Sequence, residues 1–217
     1  MKLVKLSTIA LVSVIALTAT AQVSQAVEST AKVKLEADTA TVITPPIVPE
    51  PDTPKPDITD EKGPLSIDVA PHFQFADAKV VSGTVTYPLA NTNNPYVQVT
   101  DTRGKGAGWD LKIKISEFES ADKNVLKGAE MSLGFGELRT TNPAGITEAA
   151  PTTAASVTLN GAPQSILSAA KATGLGTWAN FFNKATTNPT SKLVIPGGSY
   201  VGEYTATIDW TLSDTPK

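Results

Sequence analysis

The sequence predicts an all-β protein: an antiparallel β-sandwich, immunoglobulin-like or barrel-like, with a proline-rich N-terminal segment and a few short helical turns. Three observations point there. Short segments alternate apolar and polar residues in period two and are broken at Pro, Gly and Asn. The chain carries 29 Thr and 15 Ser while only 18% of its residues are charged, and β-branched Thr packs well on a pleated sheet. Helical periodicity is thin throughout.

In chain order, residues 1–26 read as a secretory signal peptide. Lys2 and Lys5 give a basic start, Leu6 to Ala21 carries no charge, and Ser24-Gln25-Ala26 places small residues where a signal peptidase cleaves. The strongly apolar part is shorter than the roughly 20 residues of a membrane span. Cleavage would leave 191 residues with a net charge of −5, since Lys2 and Lys5 leave and no acid does. No sorting tail follows Asp214, so any attachment to a cell is expected to be non-covalent.

Residues 27–44 form an N-terminal segment in which Ala31–Ala37 alternates and reads as an edge strand that should pair with a sheet downstream. Residues 45–64 hold seven of the sixteen prolines mixed with acids, which predicts an extended, solvated linker. Residues 65–217 are the β-domain. Leu65–Val69, Val81–Tyr87, Tyr96–Asp101, Trp109–Ile115, Met131–Phe135 and Ser156–Leu159 read as strands. The run from Tyr200 to Leu212 reads as one long C-terminal strand with Tyr204, Ile208, Trp210 and Leu212 on its inner face. In Trp109–Ile115 the apolar residues turn inward and Asp110, Lys112 and Lys114 outward. Gln164–Ala172 and Trp178–Lys184 read as short helical turns separated by Gly174 and Gly176.

Charge and composition narrow the function. A net charge of −3 offers no basic face for nucleic acid. With no Cys and one His, thiol catalysis, disulfides and multi-His metal sites are ruled out, and no metal-ligand or cofactor spacing is present. His72 lies beside Phe73, where a packed, hydrogen-bonded imidazole is expected rather than a base. No nucleophile motif of the Gly-x-Ser-x-Gly kind accompanies it. The reading is not an enzyme, with no catalytic residue assigned.

Two Trp-x-Leu tripeptides carry the functional signal: Trp109-Asp-Leu111, preceded by the loop Asp101-Thr-Arg103-Gly104-Lys105-Gly106-Ala-Gly108, and Trp210-Thr-Leu212, near the terminus and followed by Ser-Asp-Thr-Pro. With the signal peptide, the Pro/Asp-rich stretch and Gly63-Pro-Leu-Ser-Ile-Asp68 ahead of them, they resemble the WxL-domain family of secreted Gram-positive surface proteins. The resemblance covers about residues 31–217. It implies non-covalent binding to cell-wall peptidoglycan, and co-assembly with membrane-anchored WxL-interacting proteins and other WxL proteins.

The residues themselves leave two readings open. Trp109, Leu111, Trp210 and Leu212 share the apolar strand face, as core residues or as a platform stacked on a sugar ring. The loop of Asp101, Arg103, Gly104, Lys105, Gly106 and Gly108 is either a turn or a close-approach loop whose backbone and charges meet a glycan or a peptide carboxylate. The protein as a whole reads as a wall-binding module or as an assembly subunit that binds another secreted protein, for example by strand addition.

Overall fold

The computed structural model describes residues 29–37, 43–48, 54–142, 150–183 and 190–215. Among them there is no helix, and the strands run antiparallel in two main sheets. The chain divides into two units, residues 1–35 and 36–217. In the first unit only residues 29–35 are described, so the expected signal peptide lies outside the described residues. The strand expected over Ala31–Ala37 is not formed, and Val33 and Leu35 are exposed.

The strands are β1 (Asp57–Ile58), β2 (Leu65–Ala70), β3 (Val85–Pro88), β4 (Tyr96–Asp101), β5 (Trp109–Ile115), β6 (Glu119–Ser120) and β7 (Glu130–Thr140). They continue with β8 (Thr152–Thr153), β9 (Ser156–Leu159), β10 (Gln164–Ala169), β11 (Gly176–Phe182), β12 (Lys192–Ile195), β13 (Tyr204–Thr205) and β14 (Ile208–Ser213). The larger sheet has the order β1-β2-β4-β11-β7-β12-β3, with β9 also on β7. The smaller sheet is β14-β5-β10-β8, and β13 pairs with β6 alone. Strand β7 can serve two neighbourhoods because it is long: Met131–Gly134 pairs with β9, and its C-terminal half pairs with β11.

The two sheets close on one core. Ile67, Val97, Val99, Leu133 and Phe182 from the larger sheet meet Trp109, Leu111, Ile113, Ile166 and Leu167 from the smaller, all of them buried. Phe182 sits at its centre of aromatic contact, edge-on to Phe73 at 5.0 Å and to Trp210 at 6.2 Å. The two expected helical turns are strands. Gln164–Ala169 forms β10, and the described part of the second, up to Phe182, lies in β11. The long C-terminal strand is shorter than its alternation suggested: Tyr200 is exposed, and pairing occurs only at Tyr204–Thr205 and Ile208–Ser213.

The proline-rich segment, expected as a solvated linker, is tied to the larger sheet at Ile47, Val48 and β1, while Lys55 and residues 60–62 are exposed. Ile47 and Val48 pack on a second apolar cluster of Val69, Tyr96, Ala179 and Phe181, on the face of the larger sheet turned away from the main core. Gln98, fully buried in β4, holds the segment with its amide. Its Oε1 accepts the Ile47 N–H at 2.8 Å, and its Nε2 donates to the Pro45 carbonyl at 3.1 Å. The same Nε2 and the Thr100 hydroxyl donate to the buried Asp68 carboxylate, at 3.0 and 2.6 Å. A buried amide needs its hydrogen bonds met, and a passing backbone meets both ends of this one. β1 then adds to the edge of β2, so ordered structure on this sheet begins well before Leu65.

Tyr96 in that cluster is buried and stacked on Phe181 at 5.0 Å. Burial pushes its phenol above the ordinary value near 10. The folded state therefore holds this proton more tightly than the unfolded chain. Its contribution is complete below about pH 10 and is lost as pH rises through the raised value. Denaturant unfolding from about pH 8 to about pH 11 should show an alkaline loss of stability that Tyr96→Phe reduces. An unchanged alkaline limb in Tyr96→Phe would assign the loss to other groups.

Candidate functional site

The motif residues gather at one end of the sandwich. β14 lies beside β5 in a register that sets Leu212 against Leu111 and Trp210 against Ile113, and the Ser213 hydroxyl donates to the Asp110 carbonyl at 3.3 Å. The two Trp-x-Leu tripeptides are therefore neighbours in one ladder. All four motif side chains pack into or against the main core. They differ in how fully they are covered. Trp109 and Leu111 are fully buried, because β5 is flanked on both sides by β14 and β10. Trp210 and Leu212 are half-buried, because among the described residues the outer edge of β14 carries no strand.

Trp109 does more than fill space. Its indole N–H donates to the Gly174 carbonyl at 3.1 Å, and the indole of Trp178 donates to the next carbonyl, Leu175, at 2.9 Å. Asn142 Nδ2 gives Leu175 a second donor at 3.0 Å. Two tryptophans and an asparagine thus hold the loop between β10 and β11 by adjacent carbonyls. Gly174 is required there on two counts. Its φ is +72°, and an added Cβ would lie 2.4 Å from the Ala169 Cβ and 3.0 Å from the Trp109 Nε1.

The glycine-rich loop packs beside it. Asp101 closes β4 with its side chain fully buried, and Arg103 folds back on it. The Arg103 backbone N–H and Nε both reach Oδ1 at 3.0 Å, and Nη2 reaches Oδ2 at 2.8 Å. The same Nη2 donates to the Gly108 carbonyl at 2.7 Å, so one guanidinium closes the loop from its first residue to its last. Arg103 is held above its ordinary value, first by this hydrogen bond to Asp101 and then by the fields of Asp101 and Asp214. Gly106, at φ +55°, accepts the Ala172 N–H at 2.8 Å and sits against that residue.

Asp101 and Arg103 are consequently engaged with the protein itself, and Gly106 and Gly108 are buried. Of the loop residues read as ligand candidates, Gly104 and Lys105 are exposed. Asp110, expected to face water, is also buried. It accepts the Ser165 hydroxyl at 2.5 Å and lies 3.5 Å from the Lys112 ammonium. His72 is exposed rather than packed, with Nε2 3.2 Å from Asp57. Among the described residues no group of three or more His, Asp or Glu could hold a metal.

Trp178, Gly174 and Asn142 belong to this assembly and were not singled out from the sequence. The one available signal was a Gly-x-Gly pair shortly ahead of a tryptophan: Gly174 and Gly176 end two residues before Trp178, where Gly106 and Gly108 end directly before Trp109.

Compared with known families, residues 22–216 match one model, described as WxL domain surface cell wall-binding. No curated protein and no solved structure matches the chain.

Proposed function

The chain belongs to the WxL family of surface cell wall-binding domains, and from that premise we propose that its wall ligand is peptidoglycan, bound without covalent attachment after secretion through the N-terminal signal peptide. The observation that carries this reading is the match over residues 22–216, which takes in both Trp-x-Leu tripeptides and the loops they hold. The geometry supports a division of labour. The motif side chains face inward and fix one end of the sandwich, so wall recognition falls to the exposed surface of the domain. We assign the protein no catalytic role.

Sedimentation with purified, protein-free peptidoglycan tests the reading. The mature protein should pellet with the wall material, and EDTA should leave the bound fraction unchanged. Failure to pellet would overturn it. Pelleting lost only in EDTA would show that a metal takes part.

A second reading, assembly with membrane-anchored WxL-interacting proteins or other WxL proteins, is favoured by the outer edge of β14, which carries no strand among the described residues. An edge strand with half-buried Trp210 and Leu212 offers backbone hydrogen bonds and apolar surface to an added strand. Pull-down of such partners by a protein that ignores peptidoglycan would favour it.

A further inference from the structure

Past Ile115, at the end of β5, the chain turns through Ser116–Phe118 into the short hairpin that carries β6. The Leu126 N–H returns to the Phe118 carbonyl at 2.9 Å and the Ala129 N–H to the Leu126 carbonyl at 3.2 Å. These bonds hold residues 118–129 as a wall before β7 begins at Glu130. Opposite stand Leu159, at the end of β9, and Asn160, whose carbonyl accepts the Ile115 N–H at 3.5 Å. Between the two walls lies a cavity of about 480 Å³. That is the size of a small-ligand site.

Its lining combines two features. Phe118, Leu126, Met131 and Leu159 make an apolar floor, the last three of them buried. Glu117 and Glu130 line it as well, both exposed, and no Lys or Arg is among the lining residues. Among the described residues neither carboxylate has an ion pair or a hydrogen bond. Elsewhere on the surface Glu119, Glu137 and Asp209 each pair with a Lys or Arg. An apolar floor below two uncompensated carboxylates complements one kind of group: an aliphatic stem that ends in a cation. The methylenes leave water on the floor while the charged end stays at the wet mouth, as a long Lys side chain does on a protein surface. The volume admits a side chain and not another protein's surface.

We propose that this cavity is a subsite for the aliphatic ammonium side chain of a wall peptide, with Phe118, Leu126, Met131 and Leu159 taking the stem and Glu117 and Glu130 the ammonium group. This rests on the wall-binding reading and names the group that the wall presents. The carboxylates are exposed, so each pair contributes modestly and the site works by selectivity more than by strength.

The test has two arms. In the first, Nα-acetyl-lysine amide is titrated into the mature protein and followed by backbone amide chemical shifts, with Nα-acetyl-norleucine amide as the chargeless control. The lysine probe should shift Glu117, Phe118, Leu126 and Glu130, the norleucine probe much less, and Glu117→Gln/Glu130→Gln should remove the difference. Equal responses to the two probes, or shifts elsewhere only, overturn the proposal whatever the protein does with walls. In the second arm, binding to native peptidoglycan is compared with binding to peptidoglycan whose free amines have been acetylated. Wild type should bind the acetylated wall roughly fivefold to tenfold more weakly, and the double variant should bind both walls at that lower level. Equal binding of wild type to both walls overturns the subsite while leaving peptidoglycan binding intact. A lysine-specific shift without any wall binding overturns the wall as the source of the ammonium group.

Discussion

Trp109→Ala should destabilise the protein by about 3–5 kcal/mol, the cost of emptying a large aromatic site in a close-packed core. The substitution removes an indole that is fully buried between β14 and β10, and it leaves the Gly174 carbonyl without the donor it has at 3.1 Å. Against a typical total of about 5–15 kcal/mol, that loss takes wall binding with it, because little folded protein remains at moderate temperature. Trp109→Phe supplies an intermediate case. It keeps a phenyl ring in the site but loses the N–H together with two ring carbons, so it should cost about 1–3 kcal/mol. Trp210→Ala supplies the contrast. Its side chain touches Phe182 but is half-buried on an edge strand, so its loss should be clearly smaller than that of Trp109. Urea unfolding of the three variants ranks them. A Trp109→Ala protein that unfolds like wild type would show that the indole does not hold this end of the sandwich.

That ranking inverts what local pattern suggests. By alternation alone Trp210 sits in the cleanest strand and reads as the deeper residue, while Trp109 follows a glycine-rich loop and reads as nearer the surface. Burial depends instead on strand order, which is set by pairings between residues far apart in sequence. β5 is an interior strand and β14 an edge, and neither fact is written in its own residues. The sequence was legible to the residue in β4, β5 and β9, which have the expected bounds; β4 is buried on both faces, yet the turn residues Asn91–Pro95 ahead of it and the glycine-rich loop after Asp101 bracket it. It failed in β10 and β11, which the sequence offered as helical turns. In β11 Trp178 and Phe182 join the main core, Asn180 donates to the Thr153 hydroxyl of the smaller sheet, and Ala179 and Phe181 join the second cluster, so no alternation survives to be read. The docking of Ile47 and Val48 was hidden for a related reason. Proline content forecasts an extended chain, but an extended chain can lie along a sheet as well as in water, and the buried amide of Gln98 decides which.

Arg103→Ala should be the second most damaging change, at about 3–5 kcal/mol, and its cause is electrostatic rather than volumetric. The Asp101 carboxylate has no solvent exposure, and Arg103 supplies its cation through Nε and Nη2, while the Arg103 backbone N–H adds a further donor. Removing the guanidinium leaves a buried charge without compensation, the situation in which a broken ion pair costs most. It also releases the Gly108 carbonyl, and with it the closure of the loop that leads into Trp109. The companion variant fixes the interpretation. If the penalty is the stranded carboxylate, Arg103→Ala combined with Asp101→Asn should recover part of the stability that Arg103→Ala alone loses, since the second change removes the charge and leaves an amide of similar shape. If Arg103 instead reads a glycan or a peptide carboxylate, Arg103→Ala should unfold like wild type and sediment poorly with peptidoglycan. Measuring urea midpoints and wall sedimentation on the single and double variants distinguishes the two roles. The bidentate pair, closed on its own loop, predicts loss of stability first and loss of binding only as its consequence.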